Sequence, residues 1–278
     1  MNNLCYHYEK INNNKSLFPI IDCTYVIILK DSKYESRIRE QMRRYPLSKN
    51  ILLQWNKGYK NCRKKLPRQF SVSDLTDSYK TIFHNAIIND YEYIIILEED
   101  FVVLGDMMDV GIREEIQYFL RREEVEMLSL GSVVWGSREC GDDNFRKLDI
   151  KQGTHAFVYK REIILYLYNL IKNSEEVFDI DIMTNIYCKG MYGYRRPLII
   201  QVFSVTENQE NWGSNIRNPL KRSILLFMLL LLLKIFGFNG EERVIGAYER
   251  NYRIHFDRGN WVIRDISNVL ARYFNDIT

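Results

Sequence analysis

Three consecutive acids, Glu98, Glu99 and Asp100, follow directly on the apolar run Ile94, Ile95, Ile96 and Leu97. Side chains alternate along a strand, so Glu98 and Asp100 fall on one face and Glu99 on the other. In an open α/β sheet, ligands bind at the carboxyl ends of the strands. Two carboxylates at that edge make an oxygen-rich site suited to Mg²⁺ or Mn²⁺ bridging a diphosphate. The plain structural alternative is a solvated acidic turn. Against it, the chain turns apolar again at once, with Phe101, Val102, Val103 and Leu104. Burying such charge without a partner is costly.

These acids need a sheet to present them. Residues 24–29 and 50–55 read as buried strands, rich in β-branched and large apolar side chains. Residues 91–97 are the clearest strand, and residues 126–130 and 154–160 are further candidates. Between them, Leu75, Tyr79, Ile82, Phe83 and Ala86 recur at helical spacing over residues 74–89, with Ser71, Ser73 and Asp74 as candidate caps. Residues 112–124, 162–172 and 180–189 read as helices. Strands alternating with helices predict an α/β sandwich around a mostly parallel sheet.

The chain of 278 residues is 46% hydrophobic and 27% charged, which excludes a disordered, collagen-like or polytopic membrane protein. A net charge of +3 is too balanced for a dedicated nucleic-acid binder. The cluster Lys57, Lys60, Arg63, Lys64, Lys65 and Arg68 has few aromatics beside it and reads as a solvated face, with phosphate or anionic headgroup contact as the alternative. Five scattered cysteines without C-x-x-C spacing predict reduced thiols in a cytoplasm-like compartment. Residues 1–16 are polar and Asn-rich, unlike a signal peptide. P-loop, dinucleotide-binding, zincin and nucleophile-elbow motifs are absent from the sequence.

Residues 224–233 are ten uninterrupted apolar residues, short of the roughly 20 that a spanning helix needs. They suit either a buried core helix or a helix lying in a membrane surface, with Lys221 and Arg222 just upstream. The expected organisation is a domain over residues 1–222 and an extension over 223–278 that packs on it or continues it. Peripheral membrane contact through residues 221–238 is the alternative.

The run from Ile95 to Phe101 resembles the acidic D-x-D-type motif of GT-A glycosyltransferases, closest to the E-D-D form of glycosyltransferase family 25 and related enzymes of large DNA viruses. Other segments are similar to that family in the same order. Residues 25–29 with Arg37 resemble its opening strand and arginine, and residues 153–159 its G-T-x-A-Y strand. Residues 178–183 resemble its P-x-D-x-x-L segment without the proline. Pro197 to Gln201 resembles P-x-x-x-Q, and Ser214 to Ile216 resembles S-D-I, with Asn215 in place of the Asp. The resemblance covers residues 24–217 and implies a GT-A-like sandwich.

It also implies site roles. Asp100 and Glu98 ligate Mn²⁺ or Mg²⁺, and Arg37, Asp74, Glu98, Glu99 and Asp100 face the nucleotide-diphosphate sugar, UDP- or GDP-linked. Asp74 enters by analogy of fold alone. Thr154, His155, Gln201 and Ser214 contact the substrates, although a lone histidine such as His155 is more often a packed or solvated residue than a ligand. Because the family inverts at the anomeric carbon, a carboxylate must deprotonate the acceptor hydroxyl. Asp181 is the first choice and Asp179 the second, since a helix N-terminus keeps a carboxylate ionised. N-capping is the structural alternative for Asp179. The implied function is metal-assisted transfer of a sugar to a hydroxyl of a glycan, a lipid-linked sugar or a protein side chain. The alternative is a non-catalytic, membrane-associated binding module built on the same fold.

Overall fold

In the computed structural model, residues 5–67, 69, 71–173 and 180–201 are described. The chain opens with strand β1 (Tyr6–Asn12) and then β2 (Cys23–Leu29), helix α1 (Glu35–Arg44), β3 (Asn50–Asn56), α2 (Ser71–Ile88) and β4 (Tyr93–Glu98). After the acids come β5 (Phe101–Val103), α3 (Val110–Leu120) and β6 (Met127–Ser129). A hairpin of β7 (Val133–Glu139) and β8 (Phe145–Gln152) leads to β9 (Phe157–Lys160), α4 (Arg161–Asn173), α5 (Ile180–Tyr187), β10 (Met191–Tyr194) and β11 (Ile199–Gln201).

Nine strands form one sheet in the order β1-β3-β2-β4-β9-β6-β10-β8-β7, and β5 pairs with β11 in a separate ribbon. Six of the nine run in one direction, and β1, β8 and β9 oppose them. Because the opposed strands are interleaved, the sheet is mixed in its pairing, with β2 parallel to both β3 and β4. From β2 the chain passes through α1 to β3 on one side. It then returns through α2 to β4 on the other side of β2. The carboxyl ends of β2 and β4 therefore flank a topological switch point, where open α/β sheets bind ligands.

Alternation along the strands divides the core into two faces. Val26, Ile28, Ile95 and Leu97 pack with Ile38 and Met42 of α1 and Ile116 and Phe119 of α3. Tyr25, Ile27, Ile94 and Ile96 pack with Tyr79, Ile82 and Phe83 of α2 and Ile163 and Leu167 of α4. The result is three layers, helices on both sides of the sheet. Helix α1 is nearly all polar in sequence, and only Ile38 and Met42, one turn apart, are buried. Glu35 in its first turn and Arg43 and Arg44 in its last complement the helix dipole.

Most expected elements form within three residues of their expected bounds, while the helix expected over 112–124 ends at Leu120. Strands β1, β5, β10 and β11 and the β7–β8 hairpin are additions to the sequence reading. Among the described residues no helix is long and apolar enough to cross a membrane. Residues 202–278, and with them the whole proposed extension, lie outside the described residues.

Strand β1 overturns the thiol expectation. Its antiparallel register sets Tyr6 against Asn56, so Cys5 meets the loop that leaves β3 and forms a disulfide with Cys62. Cys23, Cys140 and Cys188 are free. The cysteines thus give no support for a reducing, cytoplasm-like compartment. In the same loop Lys57, Lys60, Arg63 and Lys65 are exposed, as a solvated face requires, and Lys64 alone among the described members departs from that reading. Lys64 is buried, and its ammonium pairs with Asp74 and donates to the Tyr6 hydroxyl at 2.9 Å.

The bridge closes a loop with a sequence separation of 57. Cross-links of that kind stabilise a domain by about 2–4 kcal/mol. Urea unfolding with and without dithiothreitol is expected to show a loss of that size in the native protein. A Cys5→Ser, Cys62→Ser double variant is expected to start at the lower stability and not respond to reductant.

Candidate active site

Strand β4 ends at Glu98, and Glu99 and Asp100 turn the chain into β5. The parity of β4 carries through that turn. Glu98 lies on the α2 face, where the Tyr79 hydroxyl donates to its Oε1 at 3.4 Å. Glu99 turns toward the α1 face, where its Oε2 accepts from the Leu29 backbone N–H at 3.2 Å. Its carbonyl accepts from Arg37 Nη2 at 3.0 Å. Arg37 stacks its guanidinium over the Tyr34 ring at 4.4 Å. Its Nε is buried and has no partner among the described residues.

Glu98 and Asp100 meet through one amide. Gln201 Nε2 lies 3.4 Å from Glu98 Oε2 and 3.3 Å from Asp100 Oδ1. Gln201 arrives on β11, which pairs with β5 so that Gln201 stands opposite Phe101. The approach of β11 needs Gly131, where a Cβ would sit 1.6 Å from the Ile199 carbonyl oxygen. Any side chain there would expel the strand that carries the amide.

Asp100 is only 4% exposed. Burial pushes its carboxyl up to about 7, with the Glu99 charge adding to the rise. Its own backbone N–H, the Gln201 amide and Arg37 act in the opposite direction. The Tyr79 hydroxyl is also pushed well above its usual range, first by burial and then by the neighbouring Tyr159, Glu98 and Asp181. It therefore remains a proton donor, to Glu98 and to the Thr154 carbonyl at 3.2 Å.

Asp181, in the first turn of α5, faces the end of β8. Its Oδ2 accepts from the Gly153 backbone N–H at 3.0 Å, and its Oδ1 lies 3.4 Å from the Nζ of the buried Lys151. Gly153 adopts φ +86°, and a Cβ there would lie 2.9 Å from His155 Nδ1. Only glycine fits that turn without strain. Thr154 and His155 are themselves buried, so both sit beneath the site rather than on its surface. Asp74 is engaged from two sides, by Lys64 and by Asn56 Nδ2 at 3.1 Å. Those bonds anchor the loop after β3. Asp179 and Ser214 lie outside the described residues.

The structure thus brings Glu98, Asp100, Gln201, Glu99 and Arg37 to the switch point, with Asp181 beyond Tyr79. Sequence reasoning missed Tyr79 and Lys151 as site residues. Helical spacing marks Tyr79 as core in the same way as Phe83, and nothing in the spacing reveals its polar tip. Lys151 lies in the unrecognised hairpin. Among the described residues, no group of three or more His, Cys, Asp or Glu side chains is arranged to hold a metal ion. Two carboxylates still suit Mg²⁺ or Mn²⁺, because such ions use one or two of them and complete their shell with water and phosphate oxygens. The raised carboxyl of Asp100 is a group that a cation would relieve.

Neither a protein-family model nor a curated relative matches this sequence. Among solved structures, A197 from STIV matches with a TM-score of 0.40 and 10% identity, covering 67% of this chain and 87% of that one. A glycosyltransferase involved in the glycosylation of the major capsid of PBCV-1 matches with a TM-score of 0.39 and 12% identity, covering 68% and 97%. At those scores neither likeness carries an argument about this chain.

The sign of the Asp100 effect on stability follows from its raised carboxyl. The folded protein holds a proton that the unfolded chain has already released, so folding weakens as pH rises from about 4 to about 7 and then levels. Asp100→Asn removes that loss. Its stability relative to the native protein is expected to grow by about 1.4 kcal/mol per pH unit across that window, roughly 4 kcal/mol in all. Urea unfolding of both proteins from pH 4 to 8 measures it, and parallel curves would contradict the placement of a buried carboxyl.

Proposed function

We propose that the protein is a metal-assisted glycosyltransferase of GT-A type, moving a sugar from a nucleotide-diphosphate donor to an acceptor hydroxyl. The observation that carries this reading is the convergence of Glu98 and Asp100 on the Gln201 amide, at the switch point beside Arg37. When bound, Mg²⁺ or Mn²⁺ supplies charge neutralisation for the departing diphosphate. Asp100 and Glu98 would hold it, and because Asp100 would have to be ionised to do so, metal affinity is expected to rise with pH toward 7.

The remaining work falls to the chain's own groups. Tyr79 and Gln201 fix the Glu98 carboxylate from two sides. Arg37 keeps a buried Nε donor at the α1 side of the crevice, suited to a phosphate oxygen. Asp181 accepts the proton of the acceptor hydroxyl as its oxygen bonds to the anomeric carbon. The bond from that carbon to the diphosphate breaks, and the leaving group keeps the electron pair. This is a single displacement with inversion.

A second reading, a binding module without turnover, is favoured by one observation: both Asp181 oxygens already have partners, Lys151 and Gly153. Asp181→Asn distinguishes the two. With an active donor and Mn²⁺, the variant is expected to keep nucleotide binding and lose about 10²–10⁴-fold in turnover. Asp100→Ala is expected to lose metal-dependent binding altogether. Turnover of Asp181→Asn at the native rate would remove it as the base. Absence of turnover by the native protein with every UDP- and GDP-sugar would leave the binding module.

A further inference from the structure

A second pocket opens at the same edge of the sheet, beyond β9. It is lined by Ser129, Ser132, Ser137, Arg146 and Arg195, with Leu148 and Tyr194 as apolar walls, and among the described residues no Asp or Glu lines it. Ser129 Oγ accepts from the backbone N–H groups of Gly131 at 3.2 Å and Ser132 at 2.8 Å, and lies 2.6 Å from Ser132 Oγ. Those bonds hold the turn after β6 as a rigid wall. Arg146 comes from β8, opposite Gly193 of β10. Arg195 follows β10 and pairs through Nη2 with Glu139.

Two polar atoms in this wall lack partners among the described residues. Ser137 is 1% exposed, and its hydroxyl has no hydrogen-bond partner among the described residues. The Nε of Arg195 is likewise buried and unpartnered. Leaving a buried donor unsatisfied is costly, so a ligand that accepts from both would recover that loss. Two guanidinium groups and the Ser137 hydroxyl, with no carboxylate among the described lining residues and Glu139 held on Arg195 Nη2 outside it, suit an oxyanion.

We infer that this pocket binds a small oxyanion, a phosphate, sulfate or carboxylate, carried by the acceptor. That it belongs to the acceptor rests on the glycosyltransfer reading, while the anion site itself does not. Strand β6 lies two places from β4 in the sheet. At the usual strand spacing the pocket therefore begins roughly 10 Å from the acid pair. An acceptor could place its reacting hydroxyl at the metal site and its anionic group here.

The test uses the full chain without nucleotide or metal, at constant ionic strength. Thermal unfolding is followed against inorganic phosphate, sulfate and acetate, with sodium chloride as the control. A saturable rise of several degrees is expected with at least one of them, and phosphate or sulfate against acetate separates a tetrahedral from a planar anion. Arg146→Gln is expected to weaken the apparent Kd at least tenfold. Ser137→Ala repeats the comparison without removing a charge, so a folding defect at Arg146 leaves the question decided. No rise beyond sodium chloride, or the same Kd in both variants as in the native protein, would overturn the site. The nucleotide response with Mn²⁺, measured separately in Arg146→Gln, is expected to be unchanged. Its loss from the native protein as well would remove the acceptor assignment and leave the anion site standing.

Discussion

One amide holds this site together. Glu98 and Asp100 share a face, and burial, with the Glu99 charge beside it, disfavours the ionised form of Asp100. Gln201 Nε2 donates to both. The amide can be there only because β11 pairs with β5, and that ribbon can pass only because residue 131 is glycine. The acids are therefore fixed by a segment that is a hundred residues away in sequence and contributes no strand to the main sheet.

Two further supports act through the opposite faces of the sheet. On the α2 side, Tyr79 connects Glu98 to the Thr154 carbonyl, and so ties the acid edge to the turn before β9. On the α1 side, Arg37 and the Leu29 backbone N–H fix Glu99 across the crevice. The three acids serve different ends although they are adjacent: Glu98 and Asp100 form the pair, and Glu99 binds β4 to β2. Strand parity accounts for the division.

That parity was legible in the sequence. The apolar run ending at Leu97 predicts a buried strand, and alternation alone assigns Glu98 and Asp100 to one face. Gln201 and Arg37 entered through the family resemblance, and the structure brings both to the acids. What stayed hidden depends on distant pairing. Tyr6 to Asn12 is an edge strand with polar residues toward solvent, so it carries little periodic signal. Without it, the meeting of Cys5 with Cys62 and the burial of Lys64 against Asp74 cannot be foreseen. The β7–β8 hairpin is similarly charged, and it carries both Lys151 and the pocket arginine Arg146. Asp74 entered by analogy of fold, and its carboxylate is held by Lys64 and Asn56.

Thermal unfolding with UDP or GDP, each with and without Mn²⁺, tests most directly whether the acid pair binds a metal together with a diphosphate. Ligand at 100 times its Kd is expected to add about 2.7 kcal/mol of stability. That corresponds to a rise of several degrees with one of the two nucleotides, only when Mn²⁺ is present. No rise with either nucleotide, or the same rise without the metal, would contradict it and leave Glu98, Asp100 and Gln201 as a structural junction.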